Sequence, residues 1–248
     1  MHIGAQLYTV REFCKTLPEF EETLKRIADI GYRYVQVSGT CAYEPAWLRE
    51  KLEQAGLRCV LTHIPPDRIA EDVQAVISDH DIFGCDNIGI GYYEVHREGV
   101  EAFYDRFGKA GALFARSGKR LCYHNHDQEF MKLEGRTVLE LLAERFPPEQ
   151  LCFTPDTYWI QAGGGDPAWW IRRLKGRTPC VHLKDMAYGR KMAALGLGNL
   201  NLDEVFSACE DAGTEYLLVE QDDCDGQDPF ECLKISYDFL RAKGFDNR

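Results

Sequence analysis

Imidazoles and carboxylates in this 248-residue chain collect where short apolar runs end. His63 follows Cys59-Val60-Leu61-Thr62, and Tyr123-His124-Asn125-His126 closes a second run. Asp156 lies just past Leu151-Cys152-Phe153-Thr154, His182-Leu183-Lys184-Asp185 ends another run, and Glu220-Gln221-Asp222 a further one. Neutral imidazole nitrogens and ionised carboxylates from different segments form a donor set suited to Mn²⁺, Mg²⁺, Co²⁺ or Zn²⁺. Thiolates are missing from these positions, which disfavours a structural zinc. Any one of these residues could equally fill a core or rim role; their common placement carries the metal reading. His80 and His96 read instead as surface or helix-packing residues, and His2 as terminal.

The elements that would position them repeat along the chain. An amphipathic helix, a Gly, a few polar or aromatic residues and a short β-branched run recur around Gly31, Gly56, Gly84, Gly118 and Gly213. Gly after a helix supplies a left-handed cap, so each phrase reads as helix, stop, strand. Strands are expected at Ile3–Tyr8, Tyr34–Val37, Cys59–Thr62, Asn87–Ile90, Leu121–His124, Leu151–Thr154, Cys180–Leu183 and Tyr216–Val219. Runs that are apolar nearly throughout, alternating with helices, make a parallel sheet covered on both faces. Eight of them in about 250 residues predict a (β/α)₈ TIM barrel, an α/β fold, as a single domain over residues 1–248. The alternative is an open doubly wound sheet, but Thr9-Val10-Arg11 after the first strand is no Gly-rich phosphate loop. Barrel active sites lie at the C-terminal strand ends, where the polar residues collect. Side chains alternate along a strand, so His124 and His126 share a face, as do His182 with Lys184 and Glu220 with Asp222.

The net charge of −11 argues against nucleic acid as a partner, because phosphate-backbone binding needs a basic footprint. No apolar run reaches a membrane-spanning length and Met1-His2-Ile3-Gly4 has no signal-peptide pattern, so no membrane association and a cytoplasmic location are expected. None of the ten cysteines forms a CxxC pair; Cys59, Cys122, Cys152 and Cys180 read as small buried hydrophobes.

At these same segments the chain resembles the sugar phosphate isomerase/epimerase family, the xylose isomerase-like TIM barrels, in a subgroup marked by Tyr123-His124-Asn125-His126. Further carriers are Gln6 to Arg11, Asp156-Thr157-Tyr158-Trp159 with Gly163-Gly164-Gly165-Asp166-Pro167, His182-Leu183-Lys184-Asp185 and Val219-Glu220-Gln221-Asp222. The resemblance implies one divalent metal, Mn²⁺ ahead of Mg²⁺, Co²⁺ or Zn²⁺, on Asp156, His182 and Glu220. The family's fourth ligand, a Glu, is replaced here by His124, which can still ligate but cannot be a carboxylate base. Glu220 would then act as catalytic acid/base, with His126 or Glu129 as its partner. Lys184 would hold a substrate oxygen, or form an ion pair with Asp185 or Glu220. Gln6, Tyr8, His63 and Trp159 are the expected substrate contacts, Tyr158 and Trp169 further apolar walls, and 194–199 a lid.

The activity implied is isomerisation or epimerisation of a keto-sugar, inosose or related polyol through proton abstraction and a metal-stabilised enediolate. Alternatives are a lyase or dehydratase eliminating a leaving group from a 3-keto sugar or inosose, C-glycoside cleavage included, and a non-catalytic sugar-binding barrel. A small sugar-like substrate is the expected partner, and a homo-oligomer is left open.

Overall fold

The structure, a computed structural model, describes residues 1–245. Eight parallel strands run β1 His2–Gln6, β2 Tyr34–Val37, β3 Arg58–His63, β4 Asn87–Ile90, β5 Arg120–His124, β6 Cys152–Thr154, β7 Cys180–Leu183 and β8 Tyr216–Val219. Their order in the sheet is β6-β5-β4-β3-β2-β1-β8-β7. The remaining gap, between β6 and β7, is bridged at Asp156 and His182, with His182 N–H donating to Pro155 O at 2.9 Å. The expected barrel is thereby present, closed at two of the residues expected to bind metal.

Local chemistry explains the alternation. The helix Leu17–Ile30 starts on the Thr16 side chain with Pro18 in its first turn, and its apolar positions Phe20, Leu24 and Ile27 are buried. Gly56, Gly84 and Gly213 each end a helix in the left-handed conformation, as the repeated Gly predicted.

Pairing register fixes which residues point into the barrel. Cys122 pairs with Cys152 and His124 with Thr154, while Tyr216 pairs with Cys180 and Leu218 with His182. Cys122, Cys180 and Leu218 pack with Val60 and Leu61 in one apolar cluster, so the inward layer beneath the histidines is made of thiols and aliphatics. All ten cysteines are free. Leu61, Cys122, Cys180 and Leu218 are fully buried there.

Strand limits differ from expectation in one consequential place. β1 stops at Gln6, because the Gln6 Oε1 accepts from Tyr8 N–H at 3.1 Å and turns the chain into a 3₁₀ segment, Leu7–Phe13. Tyr8 therefore stands on a loop and not on a strand. Two small antiparallel hairpins, Lys132–Leu133 with Arg136–Thr137 and Asp185–Ala187 with Lys191–Ala193, were not foreseen. No helix among the described residues is long and apolar enough to cross a membrane.

Candidate metal centre

His124, Asp156, His182 and Glu220 converge at the barrel mouth, each buried, with one ligand atom apiece lying within 4.8 Å of the others. Each stands at or just past a strand end: β5 for His124, β6 for Asp156, β7 for His182 and β8 for Glu220.

The hydrogen bonds behind the two imidazoles set their tautomers. His182 Nε2 is 2.6 Å from Gln36 Oε1 and must donate to it, which leaves the Nδ1 lone pair facing inward. His124 Nδ1 is 3.1 Å from Gly91 O and must donate there, leaving Nε2 with the inward lone pair. Both lone pairs then look at carboxylate oxygens: His182 Nδ1 lies 2.8 Å from Glu220 Oε2, and His124 Nε2 3.2 Å from Asp156 Oδ2. Two acceptors at such distances need a cation or a proton between them. His182 Nδ1 is buried and faces both carboxylates, 2.8 Å from Glu220 Oε2 and 3.7 Å from Asp156 Oδ2. Orienting acceptors behind histidines, with their free nitrogens converging on carboxylates, is how proteins build metal sites. The residues fit a divalent ion.

Lys184 adds a fixed positive charge. Its ammonium is 3.0 Å from Asp156 Oδ2, 3.1 Å from Glu220 Oε2 and 2.9 Å from Asp222 Oδ2. Burial opposes that charge, but the three carboxylates outweigh it and raise the Lys184 pKa. Burial likewise opposes ionisation of Asp156 and Glu220, and Lys184 holds both well below the usual carboxylate range. Of the two expected pairings of Lys184, Glu220 is present; Asp185 turns elsewhere. Its carboxylate accepts from the N–H groups of Met186, Gly196, Gly198 and Leu200.

A cavity of about 490 Å³ opens above this cluster, within the range of small-ligand sites. His63, His124, His126, Lys184, Glu220, Tyr8 and Trp159 all line it. His126 meets His124 edge to face, ring centres 4.7 Å apart, and its side chain caps the 3₁₀ turn Asp127–Phe130. Burial and the neighbouring His124 lower the His126 pKa to about 3, so the ring is a neutral acceptor.

Other expectations are corrected. Glu129 is not among the cavity-lining residues: its carboxylate accepts from His126 N–H at 2.7 Å, capping the 3₁₀ turn Asp127–Phe130, and from the Tyr123 hydroxyl of β5 at 3.0 Å. Gln6 is fully buried and spends its oxygen on the Leu7–Phe13 turn rather than on the cavity. Trp169 is 53% exposed and packs on Trp170 away from the mouth, and Tyr158 donates to Arg190 O. The 194–199 segment lines no part of the mouth cavity; Asp185 holds it, and Leu195 N–H donates to Ser236 Oγ on the last helix.

Sequence reasoning missed Arg11 and Tyr92, which also line the cavity, and left Asp222 without a role. Arg11 donates to Tyr8 O and Asp222 O, tying the turns after β1 and β8 together. The signal for Asp222 was its parity with Glu220. Arg11 and Tyr92 lie beyond their strands, where periodicity says nothing.

A family model described as xylose isomerase-like TIM barrel matches residues 24–243. Among solved structures, a sugar phosphate isomerase/epimerase from Parabacteroides distasonis superposes with a TM-score of 0.83 at 21% identity, covering 97% of this chain and 93% of that one. An L-ribulose 3-epimerase aligns at TM-score 0.74 and 15% identity, over 98% and 94% of the two chains. The probable 3-DHS dehydratase AsbF involved in petrobactin synthesis from Bacillus anthracis aligns at 0.71 and 16%, over 97% and 99%. No curated protein sequence matches the chain.

Proposed function

The chain belongs to the xylose isomerase-like TIM barrel family, and from that premise we propose that it is a metal-dependent isomerase or epimerase of a keto-sugar, inosose or related polyol. The observation that carries the reading is the pair of inward imidazole lone pairs, on His124 and His182, facing Asp156 and Glu220 at the floor of a sugar-sized cavity.

In this reading His124, Asp156, His182 and Glu220 hold one divalent ion, Mn²⁺ by preference. When bound, such an ion supplies Lewis-acid polarisation of a substrate oxygen, which acidifies the neighbouring C–H. The chain supplies the rest. His126, which lines the cavity wall, is the partner acid/base in this reading. Glu220, buried with His182 and Lys184 and lining the cavity, is the other acid/base. The Lys184 ammonium, its three N–H donors engaged by Asp156, Glu220 and Asp222, supplies fixed positive charge beside the substrate. Tyr8 and Trp159 wall the sugar, and His63 contacts it.

Metal analysis of purified protein with and without chelator, combined with solvent-deuterium incorporation into a panel of keto-sugars, tests this. Expected is one bound divalent ion and chelator-sensitive incorporation. Metal-free protein that binds sugars equally well would overturn the enzymatic reading in favour of a binding barrel. Release of a leaving group in place of deuterium incorporation would replace epimerisation by elimination, with the same residues in place.

A further inference from the structure

A second cavity of about 360 Å³ opens beside the mouth, between the segments that follow β2 and β3. Ser38, His63 and Ile64 line both cavities, so the two are adjoining lobes of one cleft. None of the four candidate metal ligands reaches the second lobe. Its walls are of a different kind: Ala42, Tyr43, Pro45, Pro65 and Phe83 give it an apolar lining. Thr40, His80, Arg68 and Asp79 also line it, but their polar groups are engaged within the protein: Thr40 with Cys41 O, His80 with Thr62 and Val76 O, and Arg68 with Asp79.

His63 stands where the lobes meet, and its position is built. Its ring lies against Gly89 and Gly91, where an added Cβ would approach ring atoms to 2.5 and 2.6 Å. Only glycine at both places leaves room for the ring. His63 Nε2 is buried and has no hydrogen-bond partner in the protein. One lobe is thus rich in imidazoles and charge, the other apolar, with a polar nitrogen between them.

We propose that the second lobe is a substituent subsite: the substrate is a keto-sugar carrying an apolar, planar group, with the sugar at the metal centre, the substituent against Tyr43 and Phe83, and the linking atom beside His63. The inference rests on the metal-centred reading of the mouth. Hydroxyl groups of a second sugar would be stranded on the apolar walls, whereas an aromatic ring gains by leaving water. Binding energy from such a remote group can also be used to orient the reacting carbons.

Affinities of the Mn²⁺-loaded protein for the methyl and phenyl 3-keto-β-D-glucosides, measured by calorimetry, test the assignment. The phenyl compound is expected to bind on the order of tenfold more tightly or better. Ala42→Trp, which fills the lobe, is expected to bring the phenyl-to-methyl ratio close to one; the ratio does not depend on the fraction of folded protein. Equal affinities in the unaltered protein, absence of binding by both included, or a ratio preserved in Ala42→Trp, overturns the subsite. A chelator control separates the two readings. If the phenyl preference persists while binding ignores Mn²⁺, the lobe stands and the metal centre falls.

Discussion

Asp156 and His182 are joined twice: their backbones bridge the last gap of the barrel, and their side chains, with Nδ1 and Oδ2 3.7 Å apart, belong to one ligand cluster. Closure of the fold and assembly of the site are therefore the same event. Thr157 reinforces the seam, donating from Oγ1 to Lys184 O at 2.8 Å and accepting from Lys184 N–H at 2.9 Å.

Gln36 sets the tautomer of His182, and its removal should be felt by the metal. Gln36→Leu is expected to weaken Mn²⁺ binding by roughly tenfold to a hundredfold, the usual scale for residues that orient a ligand. Calorimetric titration reads this directly; an unchanged affinity would mean that the Nε2–H bond does not orient the ring. His124→Ala should go further and lower the metal content of the purified protein.

Lys184 balances three carboxylates in a buried site, so Lys184→Met should unfold the metal-free protein at markedly lower temperature. The loss expected is about 3–5 kcal/mol, as for other buried pairs robbed of one partner. Added Mn²⁺ should restore much of it by binding the native state alone. Thermal melts with chelator and with metal check both arms, and equal melting of variant and parent in chelator would contradict the charge-balance role.

Glu129 and His80 predict opposite pH dependences of stability. Burial raises the Glu129 pKa from 4.5 to about 7, so the folded state holds its proton more tightly and stability falls as pH rises from about 4.5 to 7. Burial lowers the His80 pKa from 6.5 to about 4, so the unfolded state takes the proton first and stability falls as pH drops from about 6.5 to 4. Each is worth up to ~3 kcal/mol and the two partly cancel. Single variants uncover them: denaturant unfolding across pH should lose the falling limb in Glu129→Gln and the acid limb in His80→Gln. Glu129→Gln should also keep its metal affinity and turnover, which a catalytic Glu129 would not allow.

Gly91 presses on His63 and offers its carbonyl to His124. Gly91→Ala would place a Cβ 2.6 Å from His63 Nδ1, so the ring must move. Sugar affinity is expected to fall severalfold while Mn²⁺ still binds; unchanged affinity would remove His63 from the substrate contacts.

The barrel was legible because its signals are local and repeated: apolar runs of strand length and a left-handed Gly at helix ends. Asp156, His182 and Glu220 were legible as polar residues at strand ends, and as a ligand set only through the family resemblance. Glu129 was misplaced for the complementary reason. It lies past the end of β5, in a 3₁₀ turn whose hydrogen bonds to His126 and Tyr123 turn it inward, and no spacing rule reaches there. Tyr8 likewise left its predicted strand because one Gln6 side chain, rather than any periodic pattern, ends β1.

The Asp185 carboxylate gathers four backbone N–H groups, three of them from the 196–200 stretch. A segment fastened through one residue behaves as a clasp: it holds as a unit and would come undone as a unit. The part of the chain whose sequence suggests a gate is thus tied to the strand that carries His182, and the way into the cavity is left to the segments bearing Tyr8, Tyr92 and Trp159.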